Sequence, residues 1–278
     1  SSTADLGGRN TTARAVLNLP VVEDKFAIRI VGYGYDNSGY YENIAGDSAD
    51  KAVWADAFGG IVMSRGTGDD QYTGGRITAL WQVSQDFNVT LSHMTQDIEQ
   101  LGIPESMLAL GGTRRSPFQR QDGSGESLGI DLDVTNLKMS LDMGSYEIFS
   151  STSIVDSKTL QDRDLGAYFG PLLGVDDMPI YLEDSSDTEQ FTQELRVNTR
   201  LDGPVQFLVG AFYQDYKRKA GQKMTFEGAP ALDPFGGALL FESAFGNNLK
   251  QLAFFGEASF DLTDQLTADA GVRHYDYD

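Results

Sequence analysis

Apolar and polar residues alternate with a period of two along most of this chain, and helical periodicity is nearly absent. The clearest stretch runs from Phe191 to Arg200. Phe191, Leu195 and Val197 fall on one side, and Thr192, Glu194, Arg196, Asn198 and Arg200 fall on the other. Near the end, Leu266, Ala268, Ala270 and Val272 oppose Thr267, Asp269, Gly271, Arg273 and Tyr275. Phe87, Val89 and Leu91 oppose Asn88, Thr90 and Ser92; Ala13, Ala15, Leu17 and Leu19 oppose Arg14 and Asn18. The pattern predicts extended segments over 11–21, 25–36, 73–83, 87–97, 131–141, 146–160, 188–200, 205–219, 250–261 and 266–277. Two of them fit less cleanly. In 131–141 the apolar set changes phase between Val134 and Leu137, the mark of a bulge, and serines and threonines blur 146–160.

The connections alternate strictly between short and long. Val22-Glu23-Asp24, Ser84-Gln85-Asp86, Asp142-Met143-Gly144-Ser145, Leu201-Asp202-Gly203-Pro204 and Thr263-Asp264-Gln265 are tight turns. Polar excursions over 37–72, 98–130, 161–187 and 220–249 separate the pairs. A soluble sandwich has no reason to gather every long loop at one end, whereas a transmembrane barrel has one periplasmic rim and one extracellular rim. Alternation alone also fits a soluble sheet with one wet face. Strand length decides between them: ten to twelve residues, tilted, climb about 25 Å, the height of an outer-membrane apolar band, where soluble strands usually stop at about five or six residues. Tyr33, Tyr35, Tyr40, Tyr41, Tyr213, Tyr216, Tyr275 and Tyr277 gather near segment ends, where an interfacial girdle is expected. The fold class predicted is all-β, an antiparallel up-and-down transmembrane barrel.

Composition narrows the function. No apolar run reaches the length of a membrane-crossing helix, and the first residues carry no secretory signal pattern. A net charge of −20 argues against nucleic acid as a partner. The chain has no cysteine and only His93 and His274, which excludes thiolate chemistry and disfavours multi-histidine metal centres. Neither histidine has an evident serine or acid partner, so no catalytic residue is expected and the protein is read as not an enzyme.

The hairpin from Phe254 to Arg273 resembles a recurring hairpin of TonB-dependent outer-membrane receptors. So do Lys25–Tyr33 followed by Asn37-Ser38-Gly39-Tyr40, and Glu194–Val197 leading into Gly203–Gly210. The likeness extends over most of the chain. It implies a 22-stranded barrel with a plugged lumen, of which this chain would supply about ten strands, the plug and the C-terminal strands lying outside it. It further implies a Gram-negative outer-membrane location and uptake of a scarce bulky solute, most often a ferric siderophore. The implied partners are membrane lipid, an energising TonB-type complex reached through the plug, an extracellular small molecule and a surface lipoprotein. A passive porin-like channel and a structural or adhesive surface β-protein are the alternatives.

Candidate site residues fall into two sets. In the long excursions Trp54, Phe58, Arg114, Arg115, Phe118, Tyr168, Phe169, Phe226 and Phe235 are large groups in polar surroundings, suited to stacking and charge contacts with a flat or anionic complex. Alternation places Arg29, Arg76, Glu194, Arg196, Arg200, Glu257, Asp269 and Arg273 inside the barrel, either to dock a plug and line a path or simply to pair with one another on a hydrated wall. Asp162-Arg163-Asp164-Leu165-Gly166 has the opening spacing of a calcium loop without its distal glutamate. No cofactor is expected, beyond a divalent cation held by loop carboxylates.

Overall fold

The computed structural model describes residues 8–43, 65–102, 115–116, 126–165, 169, 180–226 and 239–278. Thirteen strands follow one another among these residues: β1 (Thr11–Val22), β2 (Phe26–Asn37), β3 (Tyr41–Asn43), β4 (Arg65–Thr67), β5 (Asp69–Gln82), β6 (Phe87–Leu101), β7 (Arg115–Ser116), β8 (Ser127–Asp142), β9 (Tyr146–Asp164), β10 (Ile180–Thr199), β11 (Val205–Phe226), β12 (Leu239–Thr263) and β13 (Leu266–Tyr277). The ten long ones form a single sheet in which every strand pairs antiparallel with the next, with β1 and β13 at its edges. The short β3 pairs antiparallel with β4 and parallel with β7, tying the first two long connections together.

All ten predicted segments form strands, but several run further than the alternation suggested. β10 begins at Ile180, β11 continues to Phe226 and β12 spans 25 residues from Leu239. At ~3.3 Å per residue β12 is roughly 80 Å long, far more than a bilayer requires. Much of what is added is polar on both faces, as at Glu183-Asp184-Ser185-Ser186-Asp187 in β10, and so read as loop in the sequence. Cross-strand pairing nevertheless carries on unbroken from Lys219↔Gly246 to Met224↔Phe241. A ladder continues for as long as both backbones can bond, whatever the side chains prefer.

The expected bulge in 131–141 is absent. β8 pairs with β6 and β9 in continuous register from Ser127 to Asp142. Register shifts occur instead at Pro20/Val22, Met224/Thr225 and Asp261/Thr263. What changes in β8 is the chemistry of its two faces. Near the tight turns Leu137, Met139 and Leu141 share one face and Asn136, Lys138 and Ser140 the other; further out the first face continues as Thr135, Asp133 and Asp131, the second as Val134, Leu132 and Ile130. β6 does the same, passing from Val89 and Leu91 to Asp97 and Glu99 on one face, and from Asn88 and Ser92 to Met94 and Ile98 on the other.

Because directly paired residues share a face, the register extends these two faces across the whole sheet. One face carries Leu17, Ile30, Ile77, Leu91, Leu195, Val209, Phe254 and Val272 near the turns; Val209 is 55%, Phe254 57% and Val272 74% exposed. An apolar belt this exposed has no protein to cover it within the described residues. Among the described residues a small core lies at the opposite end from the tight turns, where Ile180 and Phe226 are buried against Leu165, Phe169, Met224 and Leu240.

Candidate functional site

The polar face of the sheet holds the charged residues that alternation placed inside. Register puts Arg29, Arg76, Glu194, Arg196, Glu257, Asp269 and Arg273 on that one face. They do not simply pair with one another. Arg196 meets Glu194 at 3.5 Å, a long contact, while its guanidinium carbon lies 4.4 Å from the centre of the Phe149 ring. Arg273 lies 5.4 Å from Phe212 and 5.7 Å from Phe255. Both arginines thus rest on aromatic faces, where the ring quadrupole attracts the cation. Asp269 accepts a hydrogen bond from Ser259. Arg29 and Arg76 have no ion-pair partner among the described residues.

A glycine makes the Arg–aromatic row possible. Phe149, Arg196, Gly210, Phe255 and Arg273 follow one another by pairing across five strands. A Cβ on Gly210 would stand 2.4 Å from Phe255 Cζ and 2.7 Å from its Cε2. The ring therefore lies across the neighbouring strand in the space a side chain would fill.

At the tight-turn rim Arg200 behaves differently. It bonds Asp142, and its Nη2 donates to Glu147 Oε2 at 3.0 Å, while Ser140 donates to Glu147 Oε1. Its backbone N–H reaches the Ser145 carbonyl. The arginine thereby locks the turn 200–204 to the turn 142–146. The Gly144 amide, and then the Arg200 guanidinium, hold the Asp142 carboxyl below the usual carboxylate range at this rim.

The tyrosines expected as a lipid-side girdle are mostly elsewhere. Tyr33, Tyr35, Tyr216, Tyr275 and Tyr277 lie on the polar face, joined by Tyr72, and Tyr213 is on the apolar face. Nearness to a strand end does not fix which way a residue points; register parity does.

The connection residues fare unevenly. Trp54, Phe58, Arg114, Phe118, Tyr168 and Phe235 lie outside the described residues. Arg115 forms β7, its backbone paired with Glu42. Phe169 packs against the small core, and Phe226 is 2% exposed within it. A solute could touch Phe226 only if that cluster opened. The stretch likened to a calcium loop is the outer end of β9: Asp162 accepts from Ser127, and the Asp164 amide donates to Glu126. His93 sits on the apolar face, its Nδ1 2.9 Å from Thr135 Oγ1 and its Nε2 3.8 Å from Asp133.

Residues 31–278 match the sequence model of the TonB dependent receptor-like β-barrel. The chain belongs to the TonB-dependent receptor β-barrel family. The exposed apolar belt is accordingly the surface that meets outer-membrane lipid, the polar face lines the barrel interior, and the tight turns are periplasmic. TonB-dependent receptor barrels are receptors and transporters of the Gram-negative outer membrane rather than enzymes. Among solved structures, the ferric yersiniabactin uptake receptor FyuA of Yersinia pestis superposes with a TM-score of 0.72 at 14% identity, over 96% of this chain and 38% of that one. The ferripyoverdine receptor of Pseudomonas aeruginosa gives 0.63 at 11% identity, over 96% of this chain and 35% of that one. The RagAB peptide transporter gives 0.51 at 10%, over 96% of this chain and 32% of that one. At such identities the likeness is one of fold. This chain spans well under half the length of these receptors. No curated protein matches it.

Proposed function

We propose that this chain is the first ten or so strands of a longer TonB-dependent receptor that takes up a ferric siderophore at the expense of energy supplied from the inner membrane. The observation that carries the reading is the interior wall. Arg196 and Arg273 lie there on aromatic faces, and Arg29 and Arg76 have no carboxylate partner among the described residues, in a chain whose net charge is −20. Water-filled walls usually pair their charges; cations left available on an inner wall suit an anionic, ring-bearing complex. Structural likeness to receptors for ferric yersiniabactin and ferripyoverdine supports the same solute class. The two edge strands fit this picture, since unpaired backbone groups in hydrocarbon cost several kcal/mol each and call for further strands on both sides.

Energised uptake is tested in cells grown without free iron. Deleting the complete gene should abolish accumulation of at least one radiolabelled ferric siderophore from a panel, as should deleting the energising complex. Single-channel recording separates the porin alternative: a plugged receptor is nearly silent in a planar bilayer. Steady open-channel current with uptake indifferent to the energising complex would refute the proposal.

A further inference from the structure

Beyond the apolar belt, the outer side of the sheet carries a cavity of about 1250 Å³. Two neighbouring rows of the lipid-facing parity run along it across seven strands, one from Gln71 to Ala244 and the other from Thr73 to Gly246. The inward-facing Gln96, Arg218 and Gln222 at the same level take no part in the lining, so the cavity opens outward. Its floor is bare where Gly129, Gly221 and Gly246 stand. Its charged groups alternate from strand to strand: Asp131 pairs with Lys158, Lys158 with Asp187 and Asp187 with Lys219, while Asp97 and Glu99 lie at the β6 end. Neither Lys158 nor Lys219 has an ion-pair partner among the described residues, despite the carboxylates beside them.

Height above the bilayer decides what can reach this trough. Four residues of strand separate Thr73 from Ile77 in the belt, and eight separate Gly246 from Phe254. At ~3.3 Å per residue and a tilt near 45°, the trough climbs from roughly 9 Å to roughly 19 Å beyond the hydrocarbon. The headgroup zone of a phospholipid leaflet is only about 5–8 Å deep. We infer that the trough seats the saccharide headgroup of an outer-leaflet glycolipid whose acyl chains lie against the apolar belt below. Sugar hydroxyls donate to Asp97, Asp131 and Asp187, and the ammonium groups of Lys158 and Lys219 donate to acidic substituents on the sugars. A short anionic headgroup would meet more carboxylates than lysines here and would reach only the lower end. The inference rests on the barrel's orientation in the membrane and is independent of the solute carried.

The test measures binding to the complete receptor in non-ionic detergent by thermophoresis, with three lipid probes: lipid A bearing its inner-core sugars, lipid A without them, and phosphatidylglycerol. Wild type should bind the sugar-bearing lipid at least about tenfold more tightly than phosphatidylglycerol and several-fold more tightly than bare lipid A. Gly129→Leu and Gly246→Leu fill the floor, and a Cβ at either position meets nothing nearer than a carbonyl oxygen at 3.9 or 3.8 Å. Each should weaken binding of the sugar-bearing lipid about tenfold and leave bare lipid A unchanged. Lys158→Gln and Lys219→Gln should each weaken it several-fold with a smaller salt dependence. Lys25→Gln, at the periplasmic turn between β1 and β2, should change nothing, and heat-modifiable gel mobility shows that each variant is folded. Equal binding of the sugar-bearing lipid by wild type and both folded Gly→Leu variants would overturn the inference, as a loop or protein partner seated in the trough would produce. Phosphatidylglycerol bound as tightly as the glycolipid would overturn it too.

Discussion

Replacing Gly210 with alanine tests how closely the inner wall is fitted. The new Cβ would meet Phe255 Cζ at 2.4 Å, Cε2 at 2.7 Å and the Leu195 carbonyl oxygen at 3.0 Å. The carbonyl belongs to the β10–β11 ladder and cannot retreat cheaply, so the ring must swing off the wall and away from Arg273. Overpacking of this kind costs about 1–3 kcal/mol, offset by roughly 0.5–1 kcal/mol from the reduced backbone freedom of alanine. A net destabilisation of about 1–2 kcal/mol is expected. Gly32→Ala is the matched control: nothing lies within 4 Å of its Cβ position, on the lipid-facing side of β2, so it should stabilise by about 0.5–1 kcal/mol. The assay is the denaturant midpoint of the complete receptor at unchanged slope. Phe255→Leu then closes a double-mutant cycle, in which Gly210→Ala should lose most of its penalty. Equal effects of the two glycine substitutions, or additivity within about 0.5 kcal/mol in the cycle, would refute the close fit.

Three further outcomes follow from the same geometry. Val209→Arg places a charge in the lipid-facing belt and should destabilise by about 2–4 kcal/mol, whereas Leu208→Arg, facing inward and paired with Glu257, should cost less than about 1 kcal/mol; folding yield in phospholipid vesicles compares them. Phe226→Ala should open the small outer core at a cost of about 3 kcal/mol, seen as faster hydrogen exchange at 180–182 and 224–226 without loss of the lower barrel. At the periplasmic rim, the Asp142 carboxyl has its pKa lowered by folding, so its contribution is present above the ordinary carboxylate range and is lost as pH falls through the lowered value. Protection factors in the turn 142–146, which correct for the intrinsic slowing of amide exchange in acid, should therefore fall as pH is lowered, and Asp142→Asn should remove that dependence while reducing protection at neutral pH.

Alternation by itself determined the ten strands, their next-neighbour pairing and the division of Arg29, Arg76, Glu194, Arg196, Glu257, Asp269 and Arg273 from the lipid-facing residues. A two-residue period is a local property, and lipid on one side with water on the other leaves no second way to orient a strand such as Phe191–Arg200. The reach of β10, β11 and β12 beyond the membrane was not legible, because a ladder in water on both sides imposes no pattern on its side chains. Nor could the apparent phase slip in β8 be told from a bulge in one strand alone; only its neighbours show that both faces change chemistry at constant register. The tyrosines make the same point. Tyr72 is separated from Tyr33 and Tyr35 by dozens of residues in the sequence, and which rings meet, and over which glycine, is set by cross-strand register. That register is fixed by backbone bonds between strands and belongs to the tertiary structure alone.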